Sequence, residues 1–93
     1  HGDLRLDLAA RRAPIGDYFV DLSARECALA ERFLRHPGEV LTRQHLLSTV
    51  WGHDHAPSSN VVDVYVRYLR NKLGACRIVA VRGLGYRLEQ PAR

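Results

Sequence analysis

The segment 60–73, NVVDVYVRYLRNKL, constrains the fold more than any other stretch of the chain. At 100° per residue, Val62, Val66, Leu69 and Leu73 fall within about 60° of one another, the apolar stripe of a helix packed on a core. Asn60, Val64, Arg67 and Asn71 lie opposite, with Tyr68 at their edge. Asp63 and Arg70 share one flank, and Val61, Tyr65 and Lys72 the other. Gly74 follows immediately, the usual terminator of a helix. A surface helix that exposes valine, tyrosine, arginine and asparagine together is built to touch something.

The rest of the chain supplies what this helix packs on. Leu4, Leu6 and Leu8 alternate with Arg5 and Asp7, the period of a half-buried strand. Ala13-Pro14-Ile15-Gly16-Asp17 predicts a break, after which residues 18–22 resume extended character, so residues 4–22 read as two or three short antiparallel strands. Ser23 and Glu26 form an S-x-x-E capping box, flanked by Leu22 and Cys27 where a hydrophobic staple would pack. Cys27, Ala30, Phe33 and Leu34 then recur at helical spacing, with Leu29 widening the stripe, and predict a helix over 24–35 closed by Pro37-Gly38. Thr42 caps a second helix over 43–51 with Leu46, Leu47 and Val50 on its apolar face. Residues 52–59, GHDHAPSS, have no periodicity and form a loop. The end, 77–89, is an extended β-branched run turned by Gly83-Leu84-Gly85 into a returning strand, with Val79, Val81 and Leu88 inward or paired. The expectation is one α+β domain spanning 1–93: a short N-terminal antiparallel sheet, three helices and a C-terminal β-hairpin.

Charge is informative once it is located along the chain. Residues 60–93 carry seven Lys or Arg against two acids, whereas residues 1–59 carry seven against eight, so the net charge of +4 originates in the last third. Such asymmetry points to a polyanion surface, and solvated charge alone is the alternative that produces it. No apolar run of about 18 residues exists to span a membrane. The first residues lack the basic-then-apolar order of a signal peptide. Cys27 and Cys76 stand in unlike contexts with no small-secreted pattern around them, which reads as reduced thiols in a cytoplasmic protein. Enzyme signatures are lacking: Ser23 is accounted for as a cap and Cys27 as core, no Gly-x-Ser-x-Gly turn occurs, and Gly83-x-Gly85 has neither the third glycine nor the following helix of a dinucleotide loop. His53 and His55 around Asp54, with His36 and His45 elsewhere, fall short of the three or four convergent ligands that zinc requires. Neither metal nor cofactor is expected. The competing reading is a protein-interaction module.

Three segments carry a family resemblance: LSARECALAERFLRHPGEVLTRQHLLSTVWG (22–52), SNVVDVYVRYLRNKLG (59–74) and IVAVRGLGYRLE (78–89). In this order they resemble the winged helix-turn-helix effector domain of OmpR/PhoB-type response regulators. The resemblance implies a transcription factor of a two-component system that reads tandem half-sites in double-stranded DNA. The helix over 60–73 would enter the major groove and the hairpin over 77–89 would be the wing at the minor groove. Base contacts would then come from Asn60, Val64, Arg67, Tyr68 and Asn71. Tyr65, Arg70, Lys72, Tyr86 and Trp51 would meet the DNA backbone, with core filling an equal role for Trp51 and bracing of the wing for Tyr86. Arg82 would enter the minor groove. The loop residues His53, Asp54, His55 and Ser58 would contact RNA polymerase. The domain would be monomeric alone and pair head-to-tail on DNA. Three positions depart from the family: Tyr68 and Ala80 stand where arginine and threonine are common, and Cys27 replaces a larger apolar residue. Members normally carry an N-terminal receiver domain to which nothing here corresponds, the expectation for an excised effector domain.

Overall fold

The computed structural model describes residues 6–15, 17–52, 60–74 and 78–89. Its first sheet is a two-stranded antiparallel pair, β1 (Arg12–Ile15) and β2 (Tyr18–Asp21), with Arg12 opposite Asp21 and Ile15 opposite Tyr18. The break predicted at residues 13–17 is therefore partly strand. Among the described residues Pro14 pairs only with Phe19, an edge position where a proline removes no essential ladder donor. Of the strand predicted over residues 4–8, residues 4 and 5 lie outside the described residues, and from residue 8 the chain turns: the Asp7 carboxylate accepts the Ala10 amide at 3.1 Å. Arg11 takes a left-handed φ of 54°, and an isolated bridge joins Asp7 to Arg12. A short acidic side chain that bonds its own backbone favours a turn over a ladder.

Helix α1 (Ala24–Arg35) begins with both halves of the capping box: the Ser23 amide donates to Glu26 Oε1 at 2.8 Å, and Ser23 Oγ accepts the Glu26 amide at 3.1 Å. It buries Cys27, Leu29, Ala30 and Phe33. A strand not foreseen from sequence follows, β3 (Val40–Thr42). Thr42 ends it and starts α2 (Arg43–Leu46), its Oγ1 accepting the His45 amide at 3.0 Å. The helix continues without a break as a π-helical turn, Leu47–Trp51. There the Thr49 hydroxyl donates to the His45 carbonyl at 2.8 Å, a back-bond of the kind that bends helices. The Gly52 amide closes the wide turn on the Leu47 carbonyl at 2.8 Å.

Helix α3 (Val61–Leu73) is followed by the hairpin of β4 (Ile78–Val81) and β5 (Gly85–Leu88). Strand β3 adds to this hairpin in the order β3-β5-β4, all antiparallel, with Leu41 opposite Tyr86 and Thr42 opposite Gly85. The core between helices and sheet contains Leu29, Phe33, Leu46, Val66, Leu69, Ile78 and Leu88. Leu88 is buried and Val79 and Val81 are paired with Arg87 and Gly85, as expected, while Ile78 is the buried residue of β4. The β3 addition ties the hairpin to the start of α2.

Candidate nucleic-acid interface

Hydrophobic burial fixes the rotation of α3. Val62, Val66, Leu69 and Leu73 are all buried, as the wheel predicts. The opposite face is therefore presented outward: Asn60, Arg67 and Asn71 are exposed, Val64 is half-buried, and Tyr68 keeps 45% of its surface. In the turn of the hairpin Arg82 and Leu84 are exposed, with Gly83 in a left-handed conformation at φ 77°. Ala80 is exposed on β4 and Arg87 half-buried on β5.

One carboxylate joins the helix to the hairpin. Asp63, in the first turn of α3, accepts the Tyr86 hydroxyl from β5 and, at 2.9 Å, the Arg43 Nε from the start of α2. The Arg43 guanidinium lies 5.1 Å from the centre of the Tyr86 ring, and that of Arg70 5.7 Å from it. Arg70 Nε donates to the Ile78 carbonyl at 2.8 Å. Burial pushes the Asp63 carboxyl up, but the hydrogen bonds from Tyr86 and Arg43 outweigh it and hold the group below its ordinary value. Burial and the adjacent Asp63 push the Tyr86 phenol up, so it stays a neutral donor. Tyr86 itself is only 6% exposed. It braces the wing from within.

A chain of aromatic rings supports the other edge of α3. Trp51, 6% exposed at the end of the π turn, meets Tyr65 edge-on at 5.3 Å and 78°. Tyr65 meets Tyr68 at 5.3 Å and 63°. The Arg25 guanidinium lies 5.7 Å from the Trp51 ring, and its Nη1 donates to the Val50 carbonyl at 2.6 Å. Trp51 thus fills the core and supports the exposed face.

Lys72 is engaged elsewhere. Its Nζ donates to Glu26 Oε1 at 2.7 Å and to the Asp21 carbonyl at 3.0 Å, fastening the end of α3 to the cap of α1. Burial pushes the Glu26 carboxyl up, but Lys72 and the Ser23 amide and hydroxyl outweigh it, and its pKa is lowered. Cys27 is a buried free thiol, its pKa pushed up by burial. His53, Asp54, His55 and Ser58, together with Cys76 and Arg77, lie outside the described residues.

Asn60, Val64, Arg67, Tyr68 and Asn71 thus share the outer face of α3, with Tyr65 and Arg70 on its flanks, and Arg82 is exposed in the turn of the hairpin. Sequence patterning misses Arg43. Its N1 position after the Thr42 cap is readable locally, but its partner Asp63 is 20 residues away, with no shared period to reveal the pair.

Known proteins are similar to this chain in fold and sequence. The family model described as "Transcriptional regulatory protein, C terminal" matches residues 17–88. The response regulator protein PmrA of Pseudomonas aeruginosa is 41% identical over 92 residues, covering 99% of this chain and 42% of PmrA. The chain spans about two fifths of the length of the curated relatives it matches. The crystal structure of the DNA-binding domain of Bacillus subtilis CssR superposes with a TM-score of 0.82 at 32% identity, over 91% of this chain and 98% of that one. The Klebsiella pneumoniae RstA DNA-binding domain, crystallised in complex with the RstA box, gives 0.80 at 28% identity, over 95% and 92%.

Proposed function

Because the chain belongs to the transcriptional regulatory protein C-terminal family, the winged-helix effector domains of OmpR/PhoB-type response regulators, we propose that it binds double-stranded DNA sequence-specifically, with α3 in the major groove and the wing at the adjacent minor groove. The observation that carries this reading is the division of α3: four apolar residues buried, and an outer face on which Asn60, Arg67, Tyr68 and Asn71 are exposed, as Arg82 is in the hairpin turn. Arg67 and Asn71 have the donors and acceptors that major-groove base edges pair with. Arg82, at the foot of a glycine turn, suits the concentrated negative potential of a narrow A·T-rich minor groove. Arg43, Tyr65 and Arg70 surround this face as phosphate contacts that position the domain without reading sequence. Trp51, Lys72 and Tyr86 act through what they hold in place.

The domain serves as the output module of a two-component regulator, monomeric in isolation and pairing head-to-tail on tandem half-sites. The segment with His53, Asp54, His55 and Ser58 meets RNA polymerase. A selected DNA duplex tests the core of this reading. Arg67→Ala should lose about 1–3 kcal/mol of specific affinity and relax base choice at one position. Arg70→Ala should weaken binding to all sequences alike and reduce the slope of log affinity against log salt by about one. Unchanged footprints for Arg67→Ala would refute the recognition face. Affinity that ignores salt would instead favour the protein-interaction reading.

A further inference from the structure

The exposed face of α3 contains one apolar strip among its polar groups. Val64 and Tyr68 are one helical turn apart, between Arg67 and Asn71, and Tyr68 leaves 45% of its surface uncovered. A large exposed ring on a face otherwise suited to hydrogen bonding needs a reason, and its surroundings offer one. The Tyr68 ring meets Tyr65 edge-on at 5.3 Å, Tyr65 meets Trp51 at 5.3 Å, and Trp51 is buried against the core under the Arg25 guanidinium. Each contact is the tilted geometry that aromatic pairs prefer. Tyrosine has only two rotatable side-chain bonds, and this ladder supports its ring, so little freedom remains to be lost on binding.

We infer that Tyr68 is a specificity-determining residue that reads a thymine C5-methyl group in the major groove, with Tyr65 and Trp51 as its positioning residues. The inference rests on the DNA-binding reading above and names the base chemistry that this site takes. A guanine N7/O6 edge is matched by a two-pronged donor such as a guanidinium; a phenol has one hydroxyl and cannot pair with it in that way. The one apolar group displayed by the bases in the major groove is the thymine methyl. Tyr68 and Val64 together form an apolar surface for it, while Arg67 and Asn71 beside them address polar edges.

The experiment uses duplexes recovered from a random-sequence pool by the chain itself. Each thymine of the best duplex is then replaced singly by uracil, which lacks only the methyl group. One or two replacements should weaken the parent chain about three- to tenfold, the scale of one buried methyl contact. Tyr68→Phe should preserve that penalty and Tyr68→Ala should abolish it. Tyr68→Arg should change the enriched base at the same position from thymine to guanine. Tyr65→Leu should shrink the thymine-to-uracil ratio, a quantity that a lost phosphate contact would leave unmoved. If an enriched site tolerates uracil at every position, the thymine assignment is wrong and DNA recognition still stands. If no sequence is enriched at all, the DNA-binding reading itself falls.

Discussion

A Cβ built on Gly85 would lie 2.1 Å from the Leu41 carbonyl oxygen and 2.8 Å from Thr42 Cα. Both are backbone atoms of β3, so neither can rotate aside as a side chain would; the strands must part or the wing must tilt. Gly83, two residues earlier, has the opposite constraint. It sits at φ 77°, yet an added Cβ meets nothing within 4 Å. The two glycines of one short turn therefore act differently, Gly83 through conformation and Gly85 through close approach. Gly83→Ala should cost about 1–2 kcal/mol, the strain of an L-residue held in the left-handed region. Gly85→Ala should cost about 3 kcal/mol, the upper end for overpacking, because rigid backbone is what it strikes. Urea denaturation of the two variants measures the order, and a larger loss for Gly83→Ala would contradict the packing account.

Among the elements, Asp63 holds α2, α3 and β5 together through the Arg43 guanidinium and the Tyr86 hydroxyl. Asp63→Asn keeps the size of the group but removes the charge that both partners use. It should destabilise the domain by about 1–2 kcal/mol, the scale of a weakened charge-assisted hydrogen bond. It should also lower specific DNA affinity, because the wing loses its lock on the helix. Thermal unfolding and mobility-shift titration on one selected duplex measure the two effects; unchanged affinity would mean that β3 alone sets the wing angle. This junction also shows which elements the sequence discloses. The caps at Ser23 and Thr42 and the buried stripe of α3 depend on residues within one or two helical turns, so local spacing reveals them. Strand β3 has three residues, too few for a period, and exists because β5 pairs with it from more than forty positions away. Asp63 with Tyr86 and Arg43 is equally nonlocal. Pro14 misleads for another reason: its missing donor matters in a central strand, and among the described residues Pro14 pairs only with Phe19 of β2. The exposed face of α3 follows from which residues are buried and is readable. The inward turn of Tyr86 and the commitment of Lys72 to Glu26 depend on tertiary partners and are not.

At the scale of the whole molecule, two carboxylates link fold stability to pH. Glu26 ties the start of α1 to the end of α3 through Lys72, and Asp63 ties the start of α3 to the wing. Burial opposes ionisation at both, but hydrogen bonds and opposite charges win, so both pKa values are lowered in the folded state. The unfolded chain then binds protons more readily than the folded one, and acid favours unfolding. The stabilisation from a lowered carboxyl is complete above its unfolded value and is lost as pH falls through the folded one. The window therefore opens near pH 4, the ordinary carboxylate range, and extends below it. Glu26 is 4% exposed, so its replacement leaves Lys72 without its buried counter-charge. Glu26→Gln should cost about 1–3 kcal/mol at pH 7, reduced from a fully buried pair because the lysine reaches solvent. It should also flatten the acid limb, since one of the two groups no longer takes up a proton on unfolding. Urea midpoints measured at pH 7 and pH 3 would show both: the parent chain losing more stability between them than Glu26→Gln. Equal losses would mean that acid unfolding runs through other carboxylates, and that the Glu26–Lys72 tie contributes packing rather than charge.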